Sequence, residues 1–114
     1  SLPGHVTLIK ESAFEKCDGL VEVTVPGNVQ TIERTVFANN VNLKHVVIEE
    51  GCKETGYAVF EGDIALETVK FPESLTQLLP SLFPDCNKDI VLYVKEGSRM
   101  EEFAINYKYK HVAE

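Results

Sequence analysis

The chain has 114 residues, 44% hydrophobic and 25% charged, enough to bury a sizeable core and too apolar for disorder. Its net charge of −7 opposes the counterion release that drives nucleic-acid binding and offers no basic patch to an anionic membrane. No apolar stretch approaches the ~20 residues of a membrane span, so neither nucleic acid nor direct membrane insertion is expected.

The chain opens at Ser1-Leu2-Pro3, and its one methionine is Met100, so it is expected to be a piece of a longer protein. From there a single period runs through it. Phe14, Phe37, Phe60 and Phe83 stand 23 residues apart, which is the mark of a repeat architecture. Leu20, Leu43 and Leu66 keep the same step, and so do Val23, Val46, Val69 and Leu92. A further column runs Leu2, Val25, Ile48, Phe71 and Val94, and two more run Val6, Val29, Cys52, Leu75 and Ile9, Ile32, Thr55, Leu78. The reading is four units of one repeat.

Within a unit, Leu20-x-x-Val23-x-Val25 alternates as a half-buried strand does, with Val23 and Val25 inward and Glu22 and Thr24 outward. Pro3, Pro26 and Pro72 share one register, with Glu49 in the remaining place, and a proline there ends ladder pairing for want of an N–H. The stretch from Val29 through Ile32 to Phe37 predicts a shorter return strand followed by a turn or half-helix. No unit can cover its own apolar face, so stacking of successive turns must bury the columns as ladders. In the fourth unit Asp89 takes the Leu place, and Ile90 is expected to substitute with a shift of one.

Residues 1–94 are therefore read as the solenoid and residues 95–114 as a C-terminal helical cap of the same domain. In the cap, Ser98 and Glu101 form a capping box, and Met100, Phe103, Ala104 and Tyr107 follow the spacing of an amphipathic helix. The N-terminal turn shows no such lid. Leu2, Val6 and Ile9 would sit on an open coil, expected to pack on upstream repeats or on another copy.

Val25-Pro26-Gly27-Asn28-Val29-Gln30-Thr31-Ile32, then Val36-Phe37, then Leu43, together with Ser12-Ala13-Phe14-Glu15-Lys16-Cys17, resemble the units of the BspA-type (treponemal-type) leucine-rich-repeat family. The resemblance covers essentially the whole chain. It implies a leucine-rich-repeat solenoid, with a parallel β ladder on one face and short strands or half-helical turns on the other. The family's glycine after the Ile is missing at Lys10, Glu33 and Leu79, and Thr55 interrupts the Ile column.

The sequence assembles no phosphate loop, nucleophile elbow or carboxylate dyad. Cys17, Cys52 and Cys86 form no C-x-x-C pair, and Cys17 and Cys86 share a register three turns apart. That separation is ~14 Å, beyond the ~7 Å reach of a disulfide, so all three are expected as free core residues. His5, His45 and His111 fall in unrelated registers, and no cofactor or metal is expected. Glu22 and His45 could pair as solvated neighbours. Glu49-Glu50 and Glu101-Glu102 read as solvated faces, and Asn39-Asn40-Val41-Asn42 as a polar corner.

What remains is the outer wall of the main sheet, whose exposed columns should be Glu22, His45, Thr68, Val91 and Thr24, Val47, Lys70, Tyr93. Val47, Val91 and Tyr93 would form a modest apolar patch there. The resemblance implies a protein-binding or adhesion module, part of a larger bacterial cell-surface or secreted protein, with an unidentified protein or glycan ligand. The alternatives are a structural spacer with no ligand of its own and, more distantly, an accessory domain of an enzyme. No enzymatic activity is expected of the chain itself.

Overall fold

β-branched residues recur where the period calls for strands, and in the main sheet Pro26, Glu49-Glu50 and Pro72 stand just beyond three of the runs. The computed structural model describes residues 6–79 and 81–114; Leu2, Pro3 and His5 lie outside the described residues. In chain order the elements are β1 (Leu8–Ile9), β2 (Glu22–Val25), β3 (Thr31–Ile32), β4 (His45–Ile48), β5 (Glu54–Thr55), β6 (Thr68–Lys70), β7 (Gln77–Leu78), β8 (Val91–Val94), α1 (Arg99–Asn106) and β9 (Lys110–Ala113). They build a β-solenoid of the leucine-rich-repeat type. The main parallel sheet has the order β2-β4-β6-β8-β9, and a smaller parallel sheet has the order β1-β3-β5-β7.

The register of both sheets is the sequence period. Val23 lies beside Val46, Val46 beside Val69, and Val69 beside Leu92, while Ile9, Ile32, Thr55 and Leu78 are paired in the small sheet. Val46, Val69, Leu92, Ile48, Phe71 and Val94 are all buried between the two sheets. The phenylalanine column is a stack: Phe14 to Phe37, Phe37 to Phe60 and Phe60 to Phe83 have ring centroids 5.6, 5.9 and 5.3 Å apart and planes within 13° of parallel. These are offset-stacked distances, which suit aromatic quadrupoles better than an eclipsed sandwich. Asp89 points to solvent and Ile90 fills the Leu place, fully buried.

The segment between the small sheet and the phenylalanine is a turn and carries no helix. In three successive coils two residues four apart adopt left-handed backbone, Ser12 and Lys16, Thr35 and Asn39, Ala58 and Gly62, and in the next coil Asp85 keeps the second position. A right-handed helical turn cannot pass through such residues. Their effect is to direct main-chain bonds along the solenoid axis, so that Phe14, Phe37 and Phe60 donate their N–H to Val36, Val59 and Leu82 in the next coil. Lys16, Asn39 and Gly62 donate to Ala38, Glu61 and Pro84 in the same way. The turns therefore stack through hydrogen bonds as the sheets do, and the return strands need only two residues each.

At the strand exits the Glu49-Glu50 pair is not merely solvated. Glu49 accepts the Gly27 N–H at 3.2 Å, and Glu50 accepts the N–H groups of Glu73 and Ser74 at 2.7 and 3.1 Å. Gly51, at φ +126°, lies so close to the Gly27 carbonyl that an added Cβ would collide with it. Consecutive exit corners are thus bonded to each other from both sides.

The C-terminal helical cap is present, and a strand that the sequence did not announce follows it. The helix spans only Arg99–Asn106, and the chain then turns back through Lys108, at φ +60°, into β9. β9 pairs in parallel with β8, Val91 beside Lys110 and Tyr93 beside Val112, giving the main sheet a fifth strand. The count of four units therefore falls one strand short. Ser98 accepts the Glu101 N–H at 3.2 Å, and Glu101 reaches back to the Gly97 N–H at 2.8 Å. Met100, Phe103 and Ala104 are buried, whereas Tyr107 ends the helix and is 53% exposed. The covering ring is Tyr109, brought under the stack by the Lys108 turn: it meets Phe83 edge-on at 5.4 Å and stacks on Phe103 at 5.5 Å.

Candidate binding face

Side chains alternate across a strand, so burying one face of the main sheet presents the other as straight columns. The outward columns are Glu22, His45, Thr68, Val91, Lys110 and Thr24, Val47, Lys70, Tyr93, Val112. Glu22, Thr24, Lys70, Lys110 and Val112 are exposed, and His45, Val47, Thr68, Val91 and Tyr93 half-buried. Lys110 and Val112 had no place in the repeat pattern and arrive with β9. The apolar part of the face consists of Val47, Val91 and Tyr93 extended by Val112, itself 44% exposed.

The polar groups of the face pair differently from expectation. His45 shares a 2.8 Å hydrogen bond through Nδ1 with Thr68 Oγ1, and its Nε2 lies 3.9 Å from Glu67. Both partners come from the following coil, where Glu22 of the preceding coil was expected. Lys70 reaches Glu114 at 3.6 Å. Lys110 bonds Asp89 at 2.9 Å, and that hydrogen bond and charge hold the Asp89 carboxyl below the usual carboxylate range. Such exposed ion pairs contribute little to stability.

A second concavity was not singled out by the columns. It is a groove of about 740 Å³ along the small sheet, lined among others by Glu33, Arg34, Glu54, Tyr57, Gln77 and Leu79. Arg34 is tied to Glu11 at 3.1 Å, and the Glu11 carboxylate raises the Arg34 guanidinium above its ordinary value. Tyr57 and Leu79 are 45% and 51% exposed. Reading the outward columns of the return strands as well as those of the main strands would have found it.

The cysteines are free, but only Cys52 is fully buried; Cys17 and Cys86, at the first and last turns of their column, are half-buried. Burial pushes the Cys52 thiol up to about 11 and the Cys86 thiol up to about 12, the opposite of what a nucleophile requires. Among the described residues no three His, Cys, Asp or Glu side chains gather in a way that could hold a metal ion, and no helix is long and apolar enough to cross a membrane.

Asn40, read as part of a polar corner, is fully buried instead. Its Oδ1 accepts the Cys17 N–H at 2.8 Å, and its Nδ2 donates to the carbonyls of Phe37 at 2.7 Å and Phe14 at 2.9 Å. One amide therefore satisfies main-chain groups on two coils. Asp63 occupies the same column one turn on and is also fully buried.

Comparison with curated proteins found no match, and neither did comparison with solved structures. The model of the BspA type leucine rich repeat region matches residues 1–110 as six copies, more than the four units counted from the columns. Leucine-rich repeats of this kind generally mediate protein interactions and typically carry no catalysis. The 23-residue register, the stacked phenylalanines and this match over nearly the whole chain agree, and the protein belongs to the BspA-type leucine-rich-repeat family.

Proposed function

We propose that this chain is a protein-binding module of a bacterial cell-surface or secreted protein, serving attachment to a protein or glycan, and that its contact face is the outer wall of the main sheet. The observation that carries the reading is the juxtaposition there of Val47, Val91, Tyr93 and Val112 with the charged Lys70 and Lys110. Interface centres favour a tyrosine anchor within apolar surroundings and a charged rim. An acidic chain with two lysines on this face would favour a partner surface carrying carboxylates beside an apolar spot. The first described turn leaves Phe14, Leu20 and Val23 half-buried, and the reading assigns that edge to further repeats or to another copy of the chain.

The test is a binding screen against extracellular matrix proteins and glycans, run with the wild type, Tyr93→Ala and Lys70→Ala. Tyr93→Ala should weaken binding roughly tenfold or more, the range of an anchor residue, with melting little changed. Binding indifferent to both substitutions would move the contact elsewhere, the small-sheet groove being the next surface to probe. A chain that captures nothing would favour the structural spacer.

A further inference from the structure

The column Cys17, Asn40, Asp63, Cys86 runs through four successive turns at the 23-residue step. At Asn40 the column is satisfied in full: one side-chain atom accepts a main-chain N–H from the preceding coil, and the other donates to two carbonyls. At Asp63 half of that arrangement is retained. Oδ1 accepts the Asn40 N–H at 2.7 Å. Oδ2 takes the place of the donating nitrogen, buried and without a hydrogen-bond partner. Translated by one turn, the carbonyls facing Asn40 Nδ2 become those of Phe37 and Phe60. Both are acceptors, and so is an ionised carboxylate oxygen.

Phe60 O already receives the Cys86 thiol at 2.9 Å and the Asp63 N–H at 3.1 Å. The titratable groups close by are Cys86 and, acting on it from the turn, Asp85 and Glu61. All are acidic. Among the described residues no lysine, arginine or histidine forms an ion pair with Asp63. A charge at Oδ2 would thus be buried, uncompensated and set against carbonyl dipoles.

We propose that Asp63 is held as a neutral carboxylic acid whose Oδ2–H replaces the amide N–H of Asn40, making the joint between the central coils a pH-sensitive seam that loosens when the proton is lost. Burial raises the Asp63 carboxyl from 3.8 to about 8. The folded value therefore exceeds the unfolded one, and the folded chain holds a proton that the unfolded chain releases between pH ~4 and ~8. Stability falls as pH rises through that window and levels off above it, opposite in sign to the contribution of a salt-bridged aspartate.

The test compares thermal melts of the wild type and Asp63→Asn from pH 5 to pH 9. The two midpoints should lie close together at pH 5. The wild type should then fall by on the order of 10 °C relative to Asp63→Asn by pH 9. A constant difference between the curves at every pH would overturn the proposal. A second measurement needs no variant: ¹³C carboxyl NMR of the aspartates, Asp18, Asp63, Asp85 and Asp89, should show one resonance titrating near pH 8. All titrating near pH 4 would overturn it.

Discussion

Asn40 and Asp63 differ by one functional group, yet they make opposite demands on the same column, because an amide donates where a carboxylate can only accept. The column itself could be read at the period, but its mixture of Cys, Asn and Asp shares only small size and hydrogen-bonding capacity. Neither property separates a buried ladder from an exposed corner, so Asn39-Asn40 looked like two equivalent turn residues. In the fold only Asn40 points inward, while Asn39 takes the left-handed backbone and sends its Nδ2 to Glu15. The left-handed positions were hidden for a related reason: one column holds Ser, Thr and Ala and the other Lys, Asn, Gly and Asp, and only Asn, Gly and Asp advertise positive φ. Lys16, exposed and at φ +58°, bears the steric cost with no buried contact in return. Lys16→Gly should stabilise the fold by about 0.5–1 kcal/mol, read as an increase in the urea midpoint at unchanged slope.

Among elements, the strands and their register were the most legible feature, because burial in a parallel stack forces like residues above like and a slip of one residue would turn every side chain over. The phenylalanine stack carries much of that core. Phe37 has a ring on either side and is 1% exposed, so Phe37→Ala should destabilise by ~3–5 kcal/mol in chemical denaturation, the cost of a buried cavity; a loss below about 1 kcal/mol would mean that the ring is not buried. The helix start was legible from Ser98 and Glu101, since a capping box has a local signature. β9 was not. Its residues, Lys110-His111-Val112-Ala113, show no apolar alternation, and the step from Val91 to Lys110 is 19 residues where the others are 23. The helix replaces the return strand and turn of an ordinary coil, which shortens the path and breaks the period at the very turn that it closes.

At the scale of the whole molecule the ends differ. The C-terminal turn is covered by α1, Tyr109 and β9, while Phe14, Leu20 and Val23 of the first described turn line a shallow groove of about 350 Å³. A repeat protein gains its stability from contacts between neighbouring turns, so on the proposed function a repeat or second copy packed on that edge would add to the fold, and the outer walls would serve recognition. The candidate face was half legible. Its columns on β2, β4, β6 and β8 follow from alternation, and its completion by Lys110 and Val112 required the fifth strand.

All of this rests on coils that superimpose at one fixed step, which a pair of deletions tests directly. Removing residues 44–66 takes out one whole period and joins Leu43 to Glu67 with every column preserved. Removing residues 44–65 leaves one residue too many. The first protein should keep a cooperative unfolding transition and a β-rich circular dichroism spectrum, shortened but folded, and the second should lose both. Equal behaviour of the two proteins would contradict the account.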